Sequence, residues 1–198
     1  GEEFGLPAGK NTIGKIFTAL RMLGFDTVFD TSFSADLTVI EEANELLYKL
    51  KNGEQKYPLG NSLPLFTSCC PAWVRFVETK YPELLPYVST CKSPMEMFGA
   101  VLKEYYKPAD EEAGMETVSV AVMPCVAKKH EAAREEFKRN EVPDVDYVIT
   151  TKELILMIKE LGIQFDEIEP SAPDMPFSIN SGAGVIFGVT GGVMEAAL

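Results

Sequence analysis

Apolar residues recur at Ile13, Ile16, Phe17, Leu20 and Leu23, a spacing that gathers them on one helix face, and Gly24 follows as a stop. The run DTVFD (26–30) predicts a short strand. Ser34 is placed to cap a second helix with Leu37, Ile40, Leu47 and Leu50 on its apolar face. Asn52-Gly53 closes that helix, and a polar loop runs to Ser62. LPLFTS (63–68) reads as a strand meeting Cys69-Cys70-Pro71, and a helix continues to about Lys80.

Another helix is expected from Pro94 to Tyr106, and segment 108–116 (PADEEAGME) as a loop. TVSVAVM (117–123) predicts a buried strand, then Pro124-Cys125 and a charged helix to about Lys138. DYVIT (146–150) is a strand and KELILMIKEL (152–161) a helix ending at Gly162. A proline-rich loop (170–176) leads to a glycine-rich segment, 181–192. Strands alternating with helices predict an α/β architecture with largely parallel sheet. No internal repeat or low-complexity tract interrupts the pattern.

Composition narrows the classes. A chain of 198 residues, 46% hydrophobic and 24% charged, reads as globular. At that length about 70% of the unfolded chain's surface is buried, enough for one domain with room for two lobes. No stretch approaches the roughly 20 apolar residues of a membrane span. The start, Gly1-Glu2-Glu3-Phe4, lacks the basic beginning and apolar run of a signal peptide, and lacks a methionine. The expectation is a cytoplasmic chain that begins mid-protein. With 30 acidic against 18 basic residues the net charge is −12, which disfavours nucleic acid because phosphate must be neutralised by Lys and Arg. A single histidine, His130, argues against multi-histidine metal sites and against Ser-His or Cys-His catalysis.

The four cysteines are Cys69, Cys70, Cys91 and Cys125. None shows Cys-x-x-Cys spacing, and by number alone buried structural thiols are the plainer reading. Their neighbours change this. Cys69-Cys70 lies where a strand meets a helix opened by Pro71, and Cys125 where a strand meets the next helix. Helix N-termini favour thiolate over thiol, and ligands of open parallel sheets collect at the strands' carboxyl ends. Soft sulfur donors there select iron–sulfur clusters, zinc or copper(I). Chemistry alone points to a metal or redox site without naming it.

TSCCPAW (67–73), CKSPMEMFG (91–99), MPCVAKKHE (123–131) and SGAGVIFGVTGGVMEAA (181–197) resemble the catalytic domain of iron-only hydrogenases. The likeness extends over nearly the whole chain, including GKIFTALRMLGFDTVFDTSFSADLTVIEEANEL near its start. It implies a two-lobed α/β catalytic domain of parallel sheets flanked by helices, of which residues 1–198 are an incomplete part. The implied activity is reversible oxidation of molecular hydrogen and reduction of protons. The implied cofactor is a [4Fe-4S] cluster joined to a two-iron subsite bearing CO, cyanide and a bridging dithiolate. Expected partners are hydrogen and protons, ferredoxin or another electron carrier (or ferredoxin-like domains), and maturation proteins.

By position, Cys70 and Cys125 resemble two cubane ligands. Cys69 resembles the unligated cysteine that passes protons, a job suited to a thiol of near-neutral pKa. Lys128 matches a lysine that hydrogen-bonds a cyanide, and Glu131 a relay carboxylate. Glu42 and Glu45 correspond to outer relay acids, with Ser89 between them. Ser93, Pro94 and Met123 match residues lining the two-iron subsite. Outside the resemblance, Cys91 reads as packing, His130 as exposed, and Trp73 as the core anchor of its helix. The glycine-rich run has neither phosphate-loop nor dinucleotide pattern and reads as close backbone packing.

A cubane takes four ligands, and the resemblance places the other two in a Cys-xxx-Cys motif beyond Leu198. Met95 stands where many relatives carry glutamine. The isolated stretch is therefore expected to be inactive. Two other classes remain open: a non-catalytic iron–sulfur relative acting in cluster assembly or hydrogen sensing, and, setting the resemblance aside, a zinc- or thiol-dependent enzyme.

Overall fold

The computed structural model describes residues 1–52 and 63–198. The stop expected at Gly53 and the polar loop to Ser62 lie outside the described residues. In chain order the helices are α1 (Ile13–Met22), α2 (Ser32–Asn52), α3 (Pro71–Lys80), α4 (Pro94–Glu112), α5 (Ala127–Ala132), α6 (Thr151–Glu160), α7 (Gly182–Ile186) and α8 (Gly192–Ala197). The strands are β1 (Val120–Met123), β2 (Lys138–Arg139), β3 (Val142–Pro143) and β4 (Tyr147–Thr150). The fold is helix-rich, with β1 hydrogen-bonded to β4 in a parallel sheet and β2 antiparallel to β3. No described helix is long and apolar enough to cross a membrane.

The chain divides into two compact units. One comprises Gly1–Asp30, Val122–Cys125 and Ile149–Ile179. Its core joins Phe17, Ala19 and Leu20 of α1 to Leu154 and Ile158 of α6, with Val28 and Phe165 beside them. Helix α6 starts with a reciprocal cap: the Thr150 hydroxyl accepts from Glu153 N, and the Glu153 carboxylate accepts from Thr150 N at 2.7 Å. The strand expected over 26–30 does not form. Val28 N donates instead to Asp174 Oδ2 at 2.7 Å, and Val28 O accepts from Asp174 N at 2.8 Å. A side chain and a loop amide thus take the bonds a neighbouring strand would have used.

The other unit comprises Thr31–Ala121, Val126–Val148 and Asn180–Leu198. Here α2 packs on α4, α7 and α8, and α3 packs on α5. Helix α2 begins at Ser32, and Ser34 is not its cap. Ser34 lies fully buried within the first turn, its hydroxyl donating to Thr31 O at 2.9 Å. Close packing explains one glycine: a Cβ on Gly184 of α7 would come 2.5 Å from Ser32 O.

Several boundaries depart from the periodicity. LPLFTS forms only a single parallel bridge, Phe66 with Val88, rather than a strand. Helix α4 runs through Pro108 to Glu112, where a loop was expected. Pro108 and the carbonyl-bearing Glu104 are both exposed, so water can satisfy the bond that proline removes. The segment 117–123 is a strand only from Val120, because the amide of Ser119 is taken by Asp146 Oδ2 at 2.7 Å. The charged helix expected to reach Lys138 stops at Ala132, and a two-residue hairpin turn follows, Asn140 and Glu141 with φ of 51° and 68°.

Candidate functional site

Cys70 is the N-cap of α3, with extended backbone (φ −99°, ψ 106°) and Pro71 at the first helical position, as the sequence predicts. Its thiol is exposed, whereas Cys69 is half-buried; all four cysteines are free. Trp73 is half-buried, not a fully enclosed anchor, and stacks edge-on against Phe66 at 5.8 Å. Burial, with the charge of Glu42 second, pushes the Cys69 thiol up to about 11. Desolvation thus outweighs the effect of the adjoining helix end at this thiol.

Helix α5 supplies the groups facing Cys69. Lys128 Nζ donates to Cys69 O at 2.9 Å and to Glu131 Oε2 at 2.6 Å, and both side chains are nearly enclosed. One ammonium thus ties the backbone of the cysteine pair to the carboxylate one turn further on. His130, on the same short helix, is exposed.

The outer acids sit on α2. Ser68 N donates to Glu42 Oε1 at 3.3 Å, and Glu42 Oε2 has no partner among the described residues. Burial raises the Glu42 pKa; the Ser68 amide and the nearby Ser89 hydroxyl offset part of that, and Glu45 adds to it. The Ser89 hydroxyl donates to Glu45 Oε2 at 2.8 Å, and Thr90 N reaches the same oxygen at 3.1 Å. Glu45 Oε1 faces Lys49 Nζ at 3.0 Å in a pair almost wholly removed from solvent. Beyond it lies a cavity of about 420 Å³ lined by Glu41, Glu45, Tyr48, Thr90 and Cys91. Glu42 and Glu45, three residues apart on α2, thus meet Ser68 and Ser89 respectively, with the cavity beside Glu45.

Ser93 and Pro94 open α4, Ser93 as N-cap accepting from Glu96 N and Pro94 at the first helical position. Met123 ends β1, buried, its carbonyl 3.4 Å from the Thr151 hydroxyl. Cys125 is exposed and lies two residues before α5, so it does not open that helix as expected. Met123 and Cys125 belong to the first unit, and the other candidates to the second.

The sequence matches the family described as iron only hydrogenase large subunit, C-terminal domain, over residues 1–198. The chain belongs to this family. It is 49% identical to the NADP-reducing hydrogenase subunit HndD of Solidesulfovibrio fructosivorans, covering 100% of this chain and 34% of that protein. The structure of apo [FeFe]-hydrogenase HydA1 from Chlamydomonas reinhardtii, variant C377H, is similar with a TM-score of 0.81 and 46% identity, covering 99% of this chain and 48% of that one. Protein NAR1 of Arabidopsis thaliana is 36% identical over 89% of this chain and 40% of its own length. The chain thus spans a third to a half of the relatives it matches.

An iron–sulfur cubane takes four thiolates. Cys70 and Cys125 are exposed donors of the right chemistry, while no group of three or more metal-ligating side chains converges among the described residues. Each cysteine offers a thiol of the chemistry such a cluster takes.

Two buried residues, Lys49 and Glu96, and the half-buried Cys91 were not singled out as functional by the sequence. Lys49 was signalled only by its four-residue spacing from Glu45, a pattern usual on solvated helices. Cys91, read as packing, places its Sγ 3.8 Å from Glu45 Oε2. Glu96 is wholly buried with both carboxyl oxygens unpartnered among the described residues.

Proposed function

We propose that the complete protein containing this chain interconverts molecular hydrogen with protons and electrons at a [4Fe-4S]-linked two-iron cluster. The observation that carries the reading is the buried Lys128–Glu131 pair, whose ammonium also holds the carbonyl of half-buried Cys69. Cys70 and Cys125 would hold the cubane, and Ser93, Pro94, Met123 and Lys128 would line the two-iron subsite. When bound, the cluster supplies the electrons and the iron centre at which hydrogen is made or split.

The chain's own residues manage protons and water. Cys69 is a neutral thiol beside the cysteine ligand, able to give a proton inward and be refilled from outside. Glu42, Ser89 and Glu45 supply the refilling series, because Ser89 donates to Glu45 while Glu42 keeps one oxygen without a partner. The cavity at Glu45 and Cys91 is the point of exchange with solvent. Glu131 is a further carboxylate, held by the same ammonium that binds the Cys69 carbonyl. Such positioned acids accelerate proton transfer by roughly 10²–10⁴-fold. Electrons would come from ferredoxin or a similar carrier, and maturation proteins would install the two-iron subsite; the expected compartment is the cytoplasm.

The test is hydrogen evolution from reduced viologen by the full-length, matured protein. Cys69→Ala is expected to retain cluster iron and lose nearly all turnover; full turnover would refute the relay.

Similarity to proteins described as cytosolic Fe-S cluster assembly factors favours a second reading, a non-catalytic iron–sulfur protein of cluster assembly. A matured parent protein that binds a cubane yet evolves no hydrogen would favour it.

A further inference from the structure

Helix α4 begins Ser93-Pro94-Met95-Glu96, the Ser-x-x-Glu pattern in which the glutamate normally returns to the N-cap amide. Only half of that cap is made here. Glu96 N points to the Ser93 hydroxyl at 3.5 Å, while neither Glu96 carboxyl oxygen finds a partner among the described residues. At α6 the same pattern closes fully through Thr150 and Glu153. Glu96 is therefore a carboxyl turned away from its local use and enclosed in the protein, 0% exposed.

The charged groups around it come from every side. From α5 Glu131 is the strongest, with Lys128 opposing it; Asp144 follows β3, and Lys92 precedes α4 and is itself paired with Asp144. Helix α2 packs on α4 through uncharged contacts, Thr38 to Met97 and Phe33 to Phe98, and its acids Glu42 and Glu45 are engaged with Ser68, Ser89 and Thr90. Two carboxylates around one already paired ammonium leave an excess negative charge unless one of them keeps its proton.

We infer that Glu96 is a positioning residue: a neutral buried acid that adds no charge to the Lys128–Glu131 pair, so that Glu131 remains the sole anion on Lys128. Burial first, and the charge of Glu131 second, raise its carboxyl to about 8. Below that value the site holds Lys128 as a cation, Glu131 as an anion and Glu96 protonated. Above it Glu96 ionises and adds a second negative charge near the ammonium, which loosens the tie to Cys69 O. The effect on turnover rests on the function proposed above; the titration itself does not.

The experiment is an infrared pH titration of the full-length protein without its cluster, comparing the parent with Glu96→Gln and Glu131→Gln. One protonated-carboxyl band that disappears near pH 8 in the parent is expected to be missing in Glu96→Gln. In Glu131→Gln the band should titrate at lower pH, because the charge that raises it is gone. This second variant decides the matter even if Glu96→Gln does not fold. In the matured enzyme, Glu96→Gln should shift the alkaline limb of the pH–rate profile by on the order of one pH unit. No band lost in Glu96→Gln, or an unmoved midpoint in Glu131→Gln, overturns the assignment, and an unmoved alkaline limb overturns the positioning role. A parent enzyme without any hydrogen evolution, but with the band present, would fail the proposed function alone.

Discussion

Lys128 Nζ sits 2.6 Å from Glu131 Oε2 on a helix of only six residues, and the pair is shielded from water. A second N–H of the ammonium goes to Cys69 O at 2.9 Å, so the pair joins α5 to the loop leading into α3. A pair in this setting is worth more for position than for net stability, since desolvation of both charges consumes most of the attraction.

Removing one partner is a different matter. Glu131→Ala leaves the Lys128 ammonium enclosed without its counter-charge and is expected to destabilise the full-length protein by about 3–5 kcal/mol. Glu131→Gln keeps an acceptor and should cost less. Denaturant unfolding of both variants checks the order, and equal losses would show that the charge is unimportant.

Gly99 carries a steric demand. A Cβ there would lie 2.4 Å from Asp144 O and 2.6 Å from Val145 Cγ2, in the face of α4 against the segment after β3. Gly99→Ala is expected to destabilise by about 3 kcal/mol, at the upper end of overpacking costs, despite the better helix propensity of alanine. A thermal midpoint equal to the parent's would contradict this packing.

Ser89 is the hinge of the outer acid series. Ser89→Ala removes the hydroxyl that donates to Glu45 at 2.8 Å but leaves Thr90 N on the same oxygen. The expected stability loss is about 1 kcal/mol. Turnover of the matured enzyme should fall on the order of tenfold or more if this series carries protons. Hydrogen evolution and unfolding measured on one preparation separate the two effects.

Arg134 grips Glu78 through both guanidinium NH groups, and this hydrogen bonding holds the Glu78 carboxyl below its ordinary range. A carboxyl depressed in the folded state contributes stability above its unfolded pKa, and loses it as pH falls through the folded value. The pair is partly exposed, so the contribution is about 1 kcal/mol. Glu78→Gln should therefore lose about that much at pH 7 relative to the parent and nothing at low pH. A difference that persists in acid would assign the effect to packing.

The sequence by itself determined the family and the local frames of the site. The motifs around Cys69-Cys70, Cys91 and Cys125 carry the resemblance, and Pro71 fixes the start of α3 beside Cys70 because a proline at that position needs no amide bond. Amphipathic spacing found α1 and α6, whose apolar stripes do form one core. Spacing failed where a side chain from far along the chain took the backbone bonds. Asp174 replaced a strand partner at Val28, and Asp146 delayed the start of β1 to Val120. Only the tertiary structure decided which charges are buried. Glu42, Glu45, Lys49, Glu96, Lys128 and Glu131 all sit in segments that read locally as solvated helix, and every one is enclosed. Burial is set by what packs over a helix face, and it raises the Cys69 thiol and the Glu96 carboxyl by removing water from them. No local pattern of residues encodes that, because the covering groups come from other elements of the fold.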